Sequence, residues 1–117
     1  MITGKYPELR LRRSRKNDWS RRLIEENNLS PNDFILPIFL IDGKNKKQEI
    51  KSMPGVYRYS LDKLIYVIDN AIKKGLPTVA LFPYTEKKKK NLLGAEALNE
   101  NNLVCRALQI IIYEFKF

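Results

Sequence analysis

Ile50-Lys51-Ser52-Met53-Pro54-Gly55-Val56-Tyr57-Arg58-Tyr59-Ser60-Leu61-Asp62 joins an apolar strand candidate upstream to an amphipathic helix downstream. Its centre reads as a turn: Pro54 holds its φ near roughly −65°, and Gly55 suits the positive-φ position of a type II turn. Ser60 then stands where its hydroxyl can accept from the free amides of a helix opening at Leu61. Downstream, Leu61, Leu64, Ile65, Ile68, Ala71 and Ile72 recur at helical spacing and predict a helix over 61–74. Lys73 and Lys74 suit the negative end of its dipole, Gly75 offers a left-handed cap, and Pro77 blocks continuation. Upstream, Phe34 to Ile41 is a near-continuous apolar run without alternation, as in a strand buried on both faces of a parallel sheet. Pro37 lacks a ladder donor, so the strand proper is expected over 38–41.

Working outward, Thr78-Val79-Ala80-Leu81-Phe82 is a second short apolar strand, closed by Pro83. Before the first strand, Asn17 or Asp18 can cap a helix through Trp19, Leu23 and Ile24 that ends near Asn27-Asn28. Ser30 and Pro31 open a short helical turn. Lys46 to Lys51 reads as polar loop with Ile50 as a possible anchor, and Glu86 to Asn91 as a solvated charge run. Leu103, Val104, Ala107, Leu108, Ile111, Ile112 and Phe115 form a last helical stripe, core-facing, with a partner helix or membrane surface as the alternative. The order arm, helix, strand, helix, strand, helix is the βαβ pattern of a parallel sheet. Two strands cannot shield two-sided apolar faces, so aggregation or a molten state is expected of the isolated chain.

Composition narrows the partners. At 117 residues, 44% hydrophobic and 30% charged, the chain is one modest globular domain at most. Met1 to Tyr6 has no apolar signal core and no apolar run reaches ~18 residues, so neither export nor a membrane association is expected. A single Cys105 and no His exclude an internal disulfide and a Cys/His zinc cluster, and fit a cytoplasmic setting. The net charge of +9 invites a nucleic-acid reading. No such motif accompanies it and aromatic residues are not interleaved with the basic ones, so a merely basic surface is preferred and no nucleic acid is expected. Residues 1–16 carry Arg10, Arg12, Arg13 and Arg15 among few apolar residues and read as an extended arm, either solvated or laid across a partner. Residues 17–117 form the remainder.

Several strings in this order resemble one family. Arg10-Leu11-Arg12-Arg13, Arg21-Arg22-Leu23 with Glu26-Asn27, Leu29-Ser30-Pro31-Asn32-Asp33-Phe34-Ile35-Leu36-Pro37-Ile38-Phe39 and Ser52-Met53-Pro54-Gly55-Val56 are similar to the start of porphobilinogen synthase, or δ-aminolevulinic acid dehydratase. Gly75-Leu76-Pro77, Ala80-Leu81-Phe82-Pro83, Glu96-Ala97-Leu98-Asn99 and Arg106-Ala107 extend the resemblance over nearly the whole chain. Where the family usually has Tyr, Pro and Gly, this chain has Leu98, Glu100 and Asn102. The resemblance implies an α/β fold: an N-terminal arm, then the first two βα units of a (β/α)8 TIM barrel that is here incomplete.

It also implies an activity: condensation of two molecules of 5-aminolevulinate to porphobilinogen, with loss of water, on the route to haem. In the family two lysines form Schiff bases with substrate, and a cysteine- or aspartate-rich segment sets zinc or magnesium use. No residue here matches either, so no catalytic, metal or substrate-binding residue carries over, no cofactor is expected on this chain, and inactivity alone is expected. Lys87 to Lys90 do not stand in, because four adjacent lysines on a polar loop lack the dry pocket that lowers an amine's pKa. Ile41-Asp42 and Phe82-Pro83 would border the C-terminal face of the strands, where (β/α)8 barrels place their sites. The family arm wraps a neighbouring subunit in a homo-octamer, which makes Arg10, Arg12 and Arg13 candidates for the subunit interface. The alternative is a non-catalytic fragment that docks on a full-length subunit through that arm.

Overall fold

A computed structural model describes residues 4–10 and 12–116. After a 3-10 turn at Arg13–Arg15 come α1 (Asp18–Leu23), β1 (Ile35–Leu40), β2 (Lys47–Glu49), β3 (Tyr57–Tyr59), α2 (Leu61–Lys73), β4 (Thr78–Pro83) and α3 (Leu103–Phe115). The sheet order is β2-β3-β1-β4. β1 and β4 run parallel along their whole length, from Ile35 opposite Thr78 to Leu40 opposite Pro83. β3 adds parallel to β1 at Phe39 and Leu40, and β2 closes antiparallel on β3.

The two-strand expectation is therefore corrected to four. β2 and β3 escape a periodicity reading because each is three residues long and their pairing is tertiary. The Lys47 ammonium lies 4.2 Å from the Tyr57 ring centroid across that pair, and Tyr57 and Tyr59 stand 6.3 Å apart. The Ser-Met-Pro-Gly turn between them forms as expected: the Val56 amide donates to Met53 O at 3.0 Å, with Gly55 at φ +80°.

β1 also starts earlier than expected, at Ile35, and includes Pro37. Tyr84 N donates to Leu40 O and Ile41 N donates to Tyr59 O, so even-numbered residues of β1 bond towards β4 and odd-numbered ones towards β3. Pro37 thus faces the β3 side, below the point where β3 begins, and its missing donor costs no ladder bond. By the same alternation Val79, Leu81 and Pro83 of β4 turn their backbone groups to the sheet's open edge.

α2 forms as expected, with Gly75 at φ +75° and the Leu76 amide donating to Ala71 O at 3.0 Å. Ser60 precedes α2 but its hydroxyl does not cap it. Fully buried, it accepts from Lys46 N at 2.8 Å and donates to Lys46 O, tying the chain before β2 to the start of α2. α1 stops at Leu23 rather than near Asn28.

The core is one layer deep. Ile38 and Leu40 of β1 pack with Leu64 and Ile68 of α2 and with Leu103, Ala107 and Ile111 of α3. The other sheet face carries the Phe39–Phe82 stack, with ring centroids 5.5 Å apart, and leaves Ile35 and Phe82 well exposed. The radius of gyration is 22.6 Å, against about 13 Å for a compact chain of this length.

Candidate functional site

Because β1 and β4 are parallel neighbours, the segments after them leave the sheet side by side. Open parallel sheets place their ligand sites at this rim. A cavity of about 260 Å³ lies there, bounded by Asp42 after β1, by Tyr84, Glu86 and Lys89 after β4, and by Glu96 and Asn102 before α3.

Four charges of alternating sign join these segments. Arg106 Nη2 donates to Asp42 Oδ1 at 3.1 Å, Lys89 Nζ lies 3.5 Å from Asp42 Oδ2, and the same ammonium lies 3.6 Å from Glu96 Oε1. The Arg106 hydrogen bond and charge, with Lys89 adding to them, hold the Asp42 carboxyl below its ordinary range against the opposing effect of desolvation. Arg106 Nε is buried with no hydrogen-bond partner. Asn102 caps α3, its Oδ1 accepting from Cys105 N at 2.9 Å, while its Nδ2 reaches Glu96 O at 3.4 Å.

The rim residues named from the sequence, Ile41-Asp42 and Phe82-Pro83, stand at the strand ends, with Pro83 on the cavity wall. Asp42 faces the cavity, whereas Phe82 belongs to the open sheet face. Lys89, Glu96 and Arg106 were not identified from the sequence, and nothing in local spacing joins Asp42 to a residue 64 positions away. The lysine run is not wholly solvated, since Lys89 is drawn into the cluster.

The arrangement is self-neutralising. Its carboxylates are paired with cations, and Lys89 sits between two carboxylates at a half-open surface, not in the dry pocket a nucleophilic amine needs. Among the described residues no group of three or more His, Cys, Asp or Glu is placed to hold a metal ion, and Cys105 lies half-buried in the first turn of α3. Among the described residues no helix is long and apolar enough to cross a membrane.

Arg10, Arg12 and Arg13 lie exposed on the arm, far along the chain from this rim. Arg10 Nε donates to Pro7 O at 3.2 Å and its guanidinium stands 5.5 Å from the Tyr6 ring centroid. Among the described residues none of the three has a carboxylate partner.

Fold and rim define a mixed α/β protein built from parallel βα units with a polar rim at the strand C-termini. Comparison with known proteins specifies it further. A family model for delta-aminolevulinic acid dehydratase matches residues 8–116, and the chain belongs to that family. The enzyme of Bradyrhizobium diazoefficiens is 49% identical over 107 residues, which are 92% of this chain and 30% of the relative. That of Chlamydia pneumoniae is 41% identical over 87% of this chain and 31% of its own length. Among solved structures, the Toxoplasma gondii ME49 enzyme in complex with its product porphobilinogen superposes with a TM-score of 0.82 at 32% identity, over 92% of this chain and 30% of that one. The chain thus spans about 30% of the length of these relatives, and the match covers their N-terminal part.

Proposed function

We propose that this chain is the N-terminal portion of a porphobilinogen synthase, supplying the arm (residues 1–16) and the first two βα units of its barrel (17–117), and inactive alone. In the complete enzyme two molecules of 5-aminolevulinate are joined to porphobilinogen, with zinc or magnesium bound elsewhere in the barrel. The observation that carries this reading is the family match over 8–116 joined to a rim whose Lys89 is bracketed by two carboxylates. Chain incubated with 5-aminolevulinate is expected to release no pyrrole, read with an aldehyde colour reagent. Pyrrole formation in proportion to added chain would overturn the reading.

A second reading is favoured by one observation: the basic arm adjoins an uncovered apolar face, with Trp19 62% and Leu23 76% exposed. The chain then acts as a non-catalytic fragment that docks on a full-length subunit of an octameric synthase. Co-elution with a complete synthase, weakened when Arg10, Arg12 and Arg13 are all changed to Glu, supports it. Independent elution of the unmodified chain refutes it.

A further inference from the structure

We propose that Asp42 is a positioning residue that latches the segment between β4 and α3 over the strand rim, and so sets the shape of the rim cavity. Tyr84 itself is held to the sheet, its N donating to Leu40 O at 2.8 Å and its ring lying 4.8 Å from the Arg58 guanidinium, but beyond it the segment to Asn102 has little else to hold it down. Leu92, Leu93 and Leu98 are almost fully exposed, so apolar burial does not fasten it. Its two 3-10 turns, Lys87–Lys89 and Ala95–Leu98, are held mainly by bonds within themselves.

What ties the segment beyond Tyr84 to the sheet is the charge cluster. Asp42 follows the end of β1, whose last residue, Leu40, is fully buried in the core, and so offers a fixed point. One of its oxygens holds Arg106 on the first turns of α3, and the other faces Lys89, which in turn reaches Glu96. One carboxylate therefore gathers the start, the end and the exit of the segment. The unpartnered Arg106 Nε bears on the same point. A guanidinium nitrogen is left buried without an acceptor only if another contact holds the side chain there, and Asp42 is the acidic side chain in contact with it.

Asp42, Lys89 and Arg106 are each more than a third exposed, so salt weakens their pairing. Its pH response follows from every group that faces Asp42: Arg106 and Lys89, with Lys88 and Glu86 more distant. The carboxyl titrates lower in the folded chain than in the unfolded one. The latch is therefore complete at neutral pH and is lost only as the pH falls through that lowered value.

Amide hydrogen exchange on the full chain, at a concentration low enough to keep it dispersed, tests this. Asp42→Asn is expected to speed exchange at Lys89, Lys90, Ala97 and Asn102 by roughly three- to tenfold, while α2 amides keep the native rate. Arg106→Gln should reproduce the effect, Asp42→Glu should largely restore the native rate, and added salt should speed these amides in the native chain but not in Asp42→Asn. Loop amides unchanged in Asp42→Asn would overturn the proposal. So would acceleration shared equally by α2, or a native chain whose α2 is itself unprotected, since a latch needs a folded core to close against. The readout is independent of catalysis, so it stands or falls apart from the functional assignment.

Discussion

Purified alone, the chain is expected to self-associate through β4, and Phe82→Lys is expected to push that association to much higher protein concentration. β4 ends the sheet on one side, and its six residues, Thr78-Val79-Ala80-Leu81-Phe82-Pro83, carry no charge. Edge strands in stable proteins are defended by lysines, bulges or short length, and here only the terminal proline serves. Beside the edge lies the open sheet face, with Ile35 63% and Phe82 48% exposed. Phe82 stacks on Phe39 on that face and away from the helices, so a lysine there adds charge beside the edge without entering the core. Sedimentation velocity across a dilution series would show the native chain associating and the variant shifted by on the order of tenfold in concentration, the equivalent of about 1.4 kcal/mol. A native chain that stays monomeric at high concentration would refute the edge as an association site.

Leu64→Ala is expected to abolish protection of α2. Leu64 is fully buried and sits where α2 meets both β1 and α3 in the single core cluster. Removing such a side chain costs about 3–5 kcal/mol when the surroundings cannot collapse, against a total that for whole domains is only about 5–15 kcal/mol. A core one layer deep stands at the low end of that range. Leu64→Met, which conserves volume, should cost less than about 1.5 kcal/mol. Amide exchange along α2 separates the two variants, and equal protection in both would mean that the helix does not rest on the sheet.

How much was legible beforehand depended on where each element's determinants lie. α2 could be read almost to the residue because its stripe, Gly75 and Pro77 are all local. α3 was equally plain from its stripe. β1 was recognised but cut short, because Pro37 argues against a central strand unless one knows which neighbour its nitrogen faces. β2 and β3 were invisible: Lys47-Gln48-Glu49 has no apolar pattern, and its strand state comes from pairing with Tyr57–Tyr59. Ser60 was a good cap on paper, but Lys46 claims its hydroxyl. At the rim, Asp42 could be placed from strand direction, while its partners could not. Lys89 was hidden within a run of four lysines, and Arg106 within a helix known mainly by its apolar face. The family was legible from short strings in order, and the match over residues 8–116 agrees with it.

Pro83 also decides how a further strand could be received. The outward-facing backbone groups of β4 belong to Val79, Leu81 and Pro83, and the last has a carbonyl but no N–H to offer. An incoming strand would therefore find complete donor–acceptor pairs only at Val79 and Leu81. Its donor series from β4 would stop at the rim end. The edge of β4 thus offers its full bonds at two residues and ends them at the proline.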